Sequence, residues 1–241
     1  MKRILTIIAI LSGLSCSAQI TYIGGTSAGS SAGTSATTPT MNTTAANYIK
    51  VFVPDYQPIA VCLVTDSKAN TWILDTSVND GTLTRGRTFH CAPCIVGGAH
   101  SFTIGSGCGT ATFPSIIVGA WSGVSTSSSE GVRTGAGLAS ATSGQGGSIT
   151  PGQANSLVIT CVSENGTTTA PTIPSGYTSV ATVGQVASQH LGGGMAYKLQ
   201  TTPAAENPTW SYPTSKATVL NEAINPAVTT ITNNFSPLAQ E

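Results

Sequence analysis

Branched aliphatic residues alternate with Thr and Ser in short runs along most of this chain, and no window repeats its apolar positions at helical spacing. Tyr48–Val53, Ile59–Thr65, Thr84–Cys91, Ser156–Ser163, Thr178–Val183, Gly194–Leu199 and Ala217–Ile224 all read this way. A period of two puts one side-chain set on a buried face and the other toward solvent. Pro114 leads into Ser115–Ser122, whose Ile116, Ile117 and Val118 predict a strongly buried strand. Shorter strands are expected at Ile20–Ile23, Pro39–Thr43, Trp72–Leu74 and Pro208–Tyr212. Thr84–Cys91 and Ala99–Ile104 read as a hairpin turning at 96–99. Thr26–Thr38 and Ser125–Gly147 are rich in Ser and Gly and read as loops. About a dozen strands at spacings of roughly 8–15 residues predict an all-β, jelly-roll-like antiparallel sandwich of two sheets.

Composition supports that class. Asp, Glu, Lys and Arg are only 7% of 241 residues, against about 25% in ordinary soluble domains, so helices with Glu/Lys faces are excluded. Ala46-Asn47 leads into Tyr48–Val53 much as Ala154-Asn155 leads into Ser156–Cys161. This weak internal echo predicts a sandwich of two related halves.

Residues 1–18 read as a secretory leader. Lys2 and Arg3 precede the apolar run Ile4–Leu14, and Ser15-Cys16-Ser17-Ala18 supplies small residues before a cut after Ala18. A membrane anchor needs about 18 apolar residues, more than this run holds. Lipoprotein processing at Cys16 is disfavoured by Gly13, where a large aliphatic is usual. Residues 19–225 form one expected sandwich domain, and 226–241 a tail that is disordered or donates a strand through Ala227–Thr232. Removing Lys2 and Arg3 from nine basic residues leaves seven against nine acidic, a formal charge of −2. No basic patch is present, so nucleic acid is not an expected partner. No later segment is apolar enough for a membrane span. The expected location is secreted or cell-surface.

Five cysteines remain after the leader: Cys62, Cys91, Cys94, Cys108 and Cys161. Cys62 and Cys161 lie in strand-like runs and read as small buried hydrophobes rather than a mutual disulfide. Cys91-Ala92-Pro93-Cys94 ends a strand instead of opening a helix, so a local or Cys108-linked disulfide is expected over redox catalysis.

Several motifs follow one another in a familiar order: Asp66-Ser-Lys-Ala-Asn70-Thr-Trp72, Phe89-His-Cys91-Ala, Gly97-Gly-Ala-His100-Ser-Phe102-Thr, Phe113-Pro-Ser115-Ile, Trp121-Ser-Gly123-Val, Gly147-Ser-Ile-Thr-Pro151, Gly192-Gly-Gly194-Met-Ala-Tyr197-Lys-Leu-Gln200-Thr and Asn207-Pro-Thr-Trp210. Over residues 20–225 the chain resembles jelly-roll β-sandwich domains of environmental bacterial and phage-associated proteins. The resemblance implies a fold and carries over no catalytic residue.

No constellation selects a chemistry. His90 and His100 would be neighbours across the expected hairpin, but adjacent positions such as His90 and Cys91 point to opposite faces, against a shared zinc ion. Gly29–Gly33 formally matches G-x-S-x-G, in low-complexity sequence without the required strand and helix. Asp66 reads as a turn former. Asp75, Asn79 and Asp80 are the nearest cluster for Ca²⁺, without the regular spacing of a dedicated loop. Trp72 and Trp210, flanked by polar residues, are the candidate ligand-binding aromatics, with core packing as the competing role. The expected function is therefore a secreted, non-enzymatic β-sandwich with a structural or adhesive role and no assigned cofactor or metal. The alternatives are a carbohydrate-binding module, and a filament subunit assembled by strand donation.

Overall fold

The structure, a computed structural model, describes residues 15–30, 33–56, 62–106, 113–127, 131–165, 169–184 and 191–230. Among these the elements are all strands. The first part of the chain holds β1 (Ser15–Ser17), β2 (Thr21–Gly29), β3 (Ala36–Thr37), β4 (Tyr48–Tyr56), β5 (Leu63–Asp66), β6 (Ile73–Asn79), β7 (Thr84–Cys91), β8 (Phe102–Ser106) and β9 (Ser115–Ser122). The second holds β10 (Gly131–Gln145), β11 (Ser156–Asn165), β12 (Thr178–Val183), β13 (Gly192–Gln200), β14 (Thr209–Ile224) and β15 (Val228–Thr230).

Two five-stranded antiparallel sheets face each other, in the orders β2-β9-β4-β7-β6 and β10-β14-β11-β13-β12. Each is built from one half of the chain, and each uses the same connectivity. Its first strand pairs with its last, then come its second, fourth and third. The sheets pack with their orders reversed: β12 covers β2 and β9, central β11 lies over central β4, and β10 and β14 cover β6. This is an approximate two-fold relation about β4 and β11, the two strands that the Ala-Asn echo introduces.

Burial follows the pleat. Tyr48 and Phe52 of β4 face Leu157, Ile159 and Cys161 of β11 in the central core. Ile49, Val51 and Val53 point the other way, onto a three-stranded sheet ordered β3-β8-β5 through Phe102, Ile104 and Val64. β4 is thus covered on both faces, which explains its almost unbroken apolar run. On the outer face of the second sheet, Trp210 and Tyr212 pack on Val162 and Val219.

The structure alters several local expectations. The hairpin of Thr84–Cys91 is formed with β6, not with Ala99–Ile104. Asp80 Oδ1 accepts the backbone N–H groups of Thr82, Leu83 and Thr84 and closes that turn. β8 pairs instead with β3 and β5. Strand β2 runs on to Gly29 in what reads as loop, while Pro39–Thr43 is reduced to a single bridge between Met41 and His100. The Ser/Gly-rich 125–147 segment contains the 15-residue strand β10. Pro208–Tyr212 and Ala217–Ile224 belong to one strand, β14, with irregular pairing to β10 around Ala141. β15 of the tail pairs with β1. Ala60, Cys108, His190 and residues 231–241 lie outside the described residues.

Candidate functional site

Charge is scarce in this chain, and five titratable side chains from five strands converge between the two large sheets. Lys50 on β4 donates from Nζ to Asp75 Oδ2 on β6 at 2.6 Å, and to the carboxylate of Glu222 on β14. The Thr88 hydroxyl on β7 donates to the other oxygen of Glu222. His90 on β7 places Nδ1 2.7 Å from Asp75 Oδ1, and Arg133 on β10 donates from Nη2 to the same oxygen at 2.9 Å. Arg133 Nε stands 3.7 Å from Glu222 Oε2. Side-chain exposure is 0% for Lys50, 2% for Asp75 and Glu222, and 25% for Arg133. Two carboxylates face two cations, so the cluster is neutral when the imidazole is neutral.

A bulge places the central carboxylate. Across β6 and β7, Ile73 faces His90, Leu74 faces Phe89, and Thr76 faces Thr88, which leaves Asp75 as the extra residue. Ile73 and Leu74, consecutive in sequence, are both exposed, at 44% and 45%. The inserted residue is re-aimed into the sandwich, as bulges commonly do. Burial pushes the Asp75 carboxyl up, but Lys50 and His90 more than offset this and hold it down at about 2. Burial pulls the Lys50 ammonium down, and Glu222, Tyr48 and Asp75 reverse this to a net rise. Lys50 is therefore a fixed cation and Asp75 a fixed anion at ordinary pH.

Outside the ion pairs, the cluster borders a shallow cleft, open to solvent, whose free volume of about 10 Å³ holds about one water. Tyr48, His90, Arg133 and Ser125–Ser127 are among its lining residues. The Tyr48 and His90 rings stack at 5.8 Å and 12°. His90 Nδ1 donates to Asp75, which fixes the orientation of the ring. Burial pushes the Tyr48 phenol up, so it stays protonated.

Two further charged groups have local structural roles. Asp55 accepts from Arg85 Nε and Nη2 at 2.8 and 2.9 Å, and from Arg87. Asp66 accepts the backbone N–H groups of Lys68 at 2.7 Å and Asn70 at 3.2 Å and the indole N–H of Trp72 at 2.8 Å, and meets His100 Nε2 at 3.0 Å. The turn expected at Asp66 is thus the hub of the Asp66–Trp72 motif.

The sequence-derived candidates fare differently. Trp210 is fully buried, with its indole N–H donating to Thr160 Oγ1 at 2.9 Å, so neither ring face is free for a ligand. Trp72 is half-buried, packed edge-on against Phe102 under the small sheet. Trp72 lies in the loop before β6 and Trp210 on β14, and the two form no joint platform. His90 joins the ion cluster while His100 bonds Thr43 and Asp66, so the two histidines serve separate networks. Asp75 turns inward, while Asn79 and Asp80 bond their own turn, so these three do not gather around a cation site. No group of three metal-ligating side chains converges among the described residues.

Cys161 is the free, buried residue expected, and burial pushes its thiol titration up. The other described cysteines depart from expectation: Cys62 is disulfide-bonded. Cys91 and Cys94 are both free thiols. Cys94 Sγ lies 2.6 Å from the Cys91 carbonyl oxygen, and its hydrogen bond with the Cys91 thiol raises its titration strongly. Sequence reasoning passed over Lys50, Arg133 and Glu222. The signal for Lys50 and Glu222 was a lone charge inside an apolar strand.

No family model and no curated protein matches the chain. A solved structure from Cucumber Leaf Spot Virus is similar over 98% of this chain and 99% of that one, at 10% identity and a TM-score of 0.25.

Proposed function

We propose that this chain is an exported, non-catalytic β-sandwich with a structural or adhesive role outside the cell. One observation carries the reading. The acid and base groups that converge are consumed by one another: Lys50, Asp75 and Glu222 are at most 2% exposed and mutually paired. Groups held this way lock sheets together and are poorly placed to exchange protons with a substrate. The surface left to partners is neutral Thr and Ser with isolated apolar residues such as Leu63 and Ile95. The test uses residues 19–241 against polysaccharide, ester and peptide substrates, alongside adsorption to cell surfaces. No turnover with measurable adsorption is expected; turnover at roughly 1–1,000 s⁻¹ sinks the reading.

A specific observation favours assembly by strand donation as a second reading. β15 pairs with β1, Ser15 facing Thr230 and Ser17 facing Val228, and Ala18 N–H donates to Ala227 O at 2.7 Å. These partners precede the expected cut after Ala18, so export would remove them and leave Val228–Thr230 as an unpaired edge. Residues 19–241 should then run larger than a Thr229→Pro variant on size exclusion. Identical monomeric elution of both disposes of this reading.

A further inference from the structure

A lysine and two carboxylates meet in the dry space between the sheets, and the three are held as reactants are. Lys50 Nζ and Asp75 Oδ2 are 2.6 Å apart, with side chains 0% and 2% exposed. Glu222, also 2% exposed, accepts from the same Nζ. The chain leaves Ile73 and Leu74 exposed in the bulge that aims Asp75 at this ammonium.

Their surroundings give the two carboxylates different tasks. Asp75 Oδ1 accepts from His90 Nδ1 at 2.7 Å and from Arg133 Nη2 at 2.9 Å. Two donors on one oxygen, one of them a permanent cation, stabilise negative charge that develops there. Oδ2 is left facing the ammonium. Glu222 accepts the Thr88 hydroxyl at Oε1 and turns Oε2 to Nζ, which is the position of a base.

We propose that Lys50 Nζ and Asp75 Cγ join in an amide cross-link, with Glu222 as the base and His90 and Arg133 holding the oxyanion. Nζ passes one proton to Oδ2 along their hydrogen bond, which leaves a neutral amine beside a neutral acid. The Nζ lone pair attacks Cγ, and the C=O electron pair moves onto Oδ1. Glu222 takes a second proton from Nζ and delivers it to Oδ2. The Cγ–Oδ2 bond breaks as Oδ1 re-forms its double bond, and Oδ2 leaves as water. One ammonium and one carboxylate become one amide and one water, and Glu222 ends as it began. The adjoining cleft, with room for about one water and bordered by His90 and Arg133, is the outlet.

Two opposed effects set the pace. Lys50 and Asp75 are held charged against the solvent, so the neutral pair is rare and the reaction slow. Transfer inside the pair needs no exchange with solvent, however, and removes two buried charges at once. Fixed contact between the reactants is worth effective molarities of roughly 10⁵–10⁸ M. The freshly folded chain is therefore ion-paired, the charge and acid responses of the cluster belong to that form, and the cross-link accumulates with age. It ties residues 25 apart in sequence across β7, which lies between β4 and β6. Like a disulfide it constrains the unfolded chain, but no thiol reduces it. This inference goes beyond the proposed function and fails separately from it, because a chain without the link can still adhere.

The experiment is mass spectrometry of residues 19–241 with disulfides reduced, on fresh protein and after a week of incubation. The intact mass should fall by one water, and a digest should yield a branched peptide joining Lys50 to Asp75. Lys50→Arg keeps the positive charge without the primary amine and should stay at its sequence mass. Glu222→Gln removes the base and should slow closure about a hundredfold. Thr88→Val removes only the hydroxyl that orients Glu222, leaves the ion pairs in place, and should slow closure several-fold. Far-ultraviolet spectra confirm that each chain compared is folded. A folded parent chain that keeps its full sequence mass, even after a week just below its melting temperature, overturns the cross-link. A branched peptide through Glu222 overturns the assignment of Asp75 as the acyl group. Closure at the parent rate in both Glu222→Gln and Thr88→Val overturns the base.

Discussion

Lys50, near the middle of the first sheet, is ion-paired to Glu222 of the second, 172 residues further along the chain. The pair crosses the dry space between the sheets, where each charge depends on the other. Removing one partner from a buried pair costs about 3–5 kcal/mol, whereas replacing both with apolar residues is often neutral. Glu222→Gln should therefore lower the unfolding free energy by about that amount, and because Lys50 also holds Asp75, only the triple replacement Lys50→Met, Asp75→Asn and Glu222→Leu should recover most of the loss. Urea unfolding midpoints of the single and triple variants check this. Equal losses in both would show that the ion pairs contribute no coupling.

Acid should loosen the same cluster through Asp75. Its folded value, near 2, lies below the ordinary 3.8, so its contribution is complete above about pH 4. That contribution is lost as pH falls from about 4 to about 2, and amounts to something on the order of 2 kcal/mol. Stability measured across pH 2–6 should show this slope, and Asp75→Asn should flatten it.

Asp66 holds the loop between β5 and β6 by satisfying donors from Lys68, Asn70 and Trp72. Asp66→Ala strands those donors in partly buried surroundings. A loss on the order of 3 kcal/mol is expected, with a red shift in Trp72 emission as water reaches the indole. An unchanged spectrum and melting temperature would contradict the hub role.

Gly123 follows β9 with φ +73°, and a Cβ there would come 2.2 Å from the backbone oxygen of Gln19. Both the left-handed conformation and the rigid neighbour exclude a side chain. Gly123→Ala should cost more than about 1 kcal/mol, whereas Gly98→Ala, with nothing within 4 Å of its Cβ, should cost little. Calorimetric melting of the two variants decides it.

Strands whose burial writes a strong apolar pattern were legible in the sequence. Thr84–Cys91, Ser115–Ser122 and Thr178–Val183 match the expected limits. Strand β10 was not legible. Its residues are mostly Gly, Ala, Ser and Thr, and its pairing runs along β14, which leaves little trace in side-chain hydrophobicity. The hairpin of β7 was misplaced because Gly97-Gly98 and Asn79-Asp80-Gly81 are competing turn signals on either side of it, and Asp80 closes the turn that forms. The ion cluster was hidden for a different reason. Its members come from five strands, and Asp75 enters only through a bulge that shifts the pleat by one residue. Period-two reading cannot foresee that shift. Yet in a chain with 7% charged residues, a lysine between Ile49 and Val51 asks for a counter-charge.

The repeated strand order has a consequence for what this interior can contain. A symmetric dimer of one such sheet would have to place the same residues at both ends of its shared interface. A lysine buried at one end would be duplicated at the other, with twice the desolvation to offset. Joining the two copies in one polypeptide lifts that constraint. Here β6, β7, β10 and β14 frame ion pairs, while their counterparts β12, β13, β2 and β9 enclose Tyr22, Trp121 and Tyr197, whose rings lie 4.8–5.8 Å apart. Covalent fusion is what allows one end to hold buried charge while the other is filled by aromatic rings.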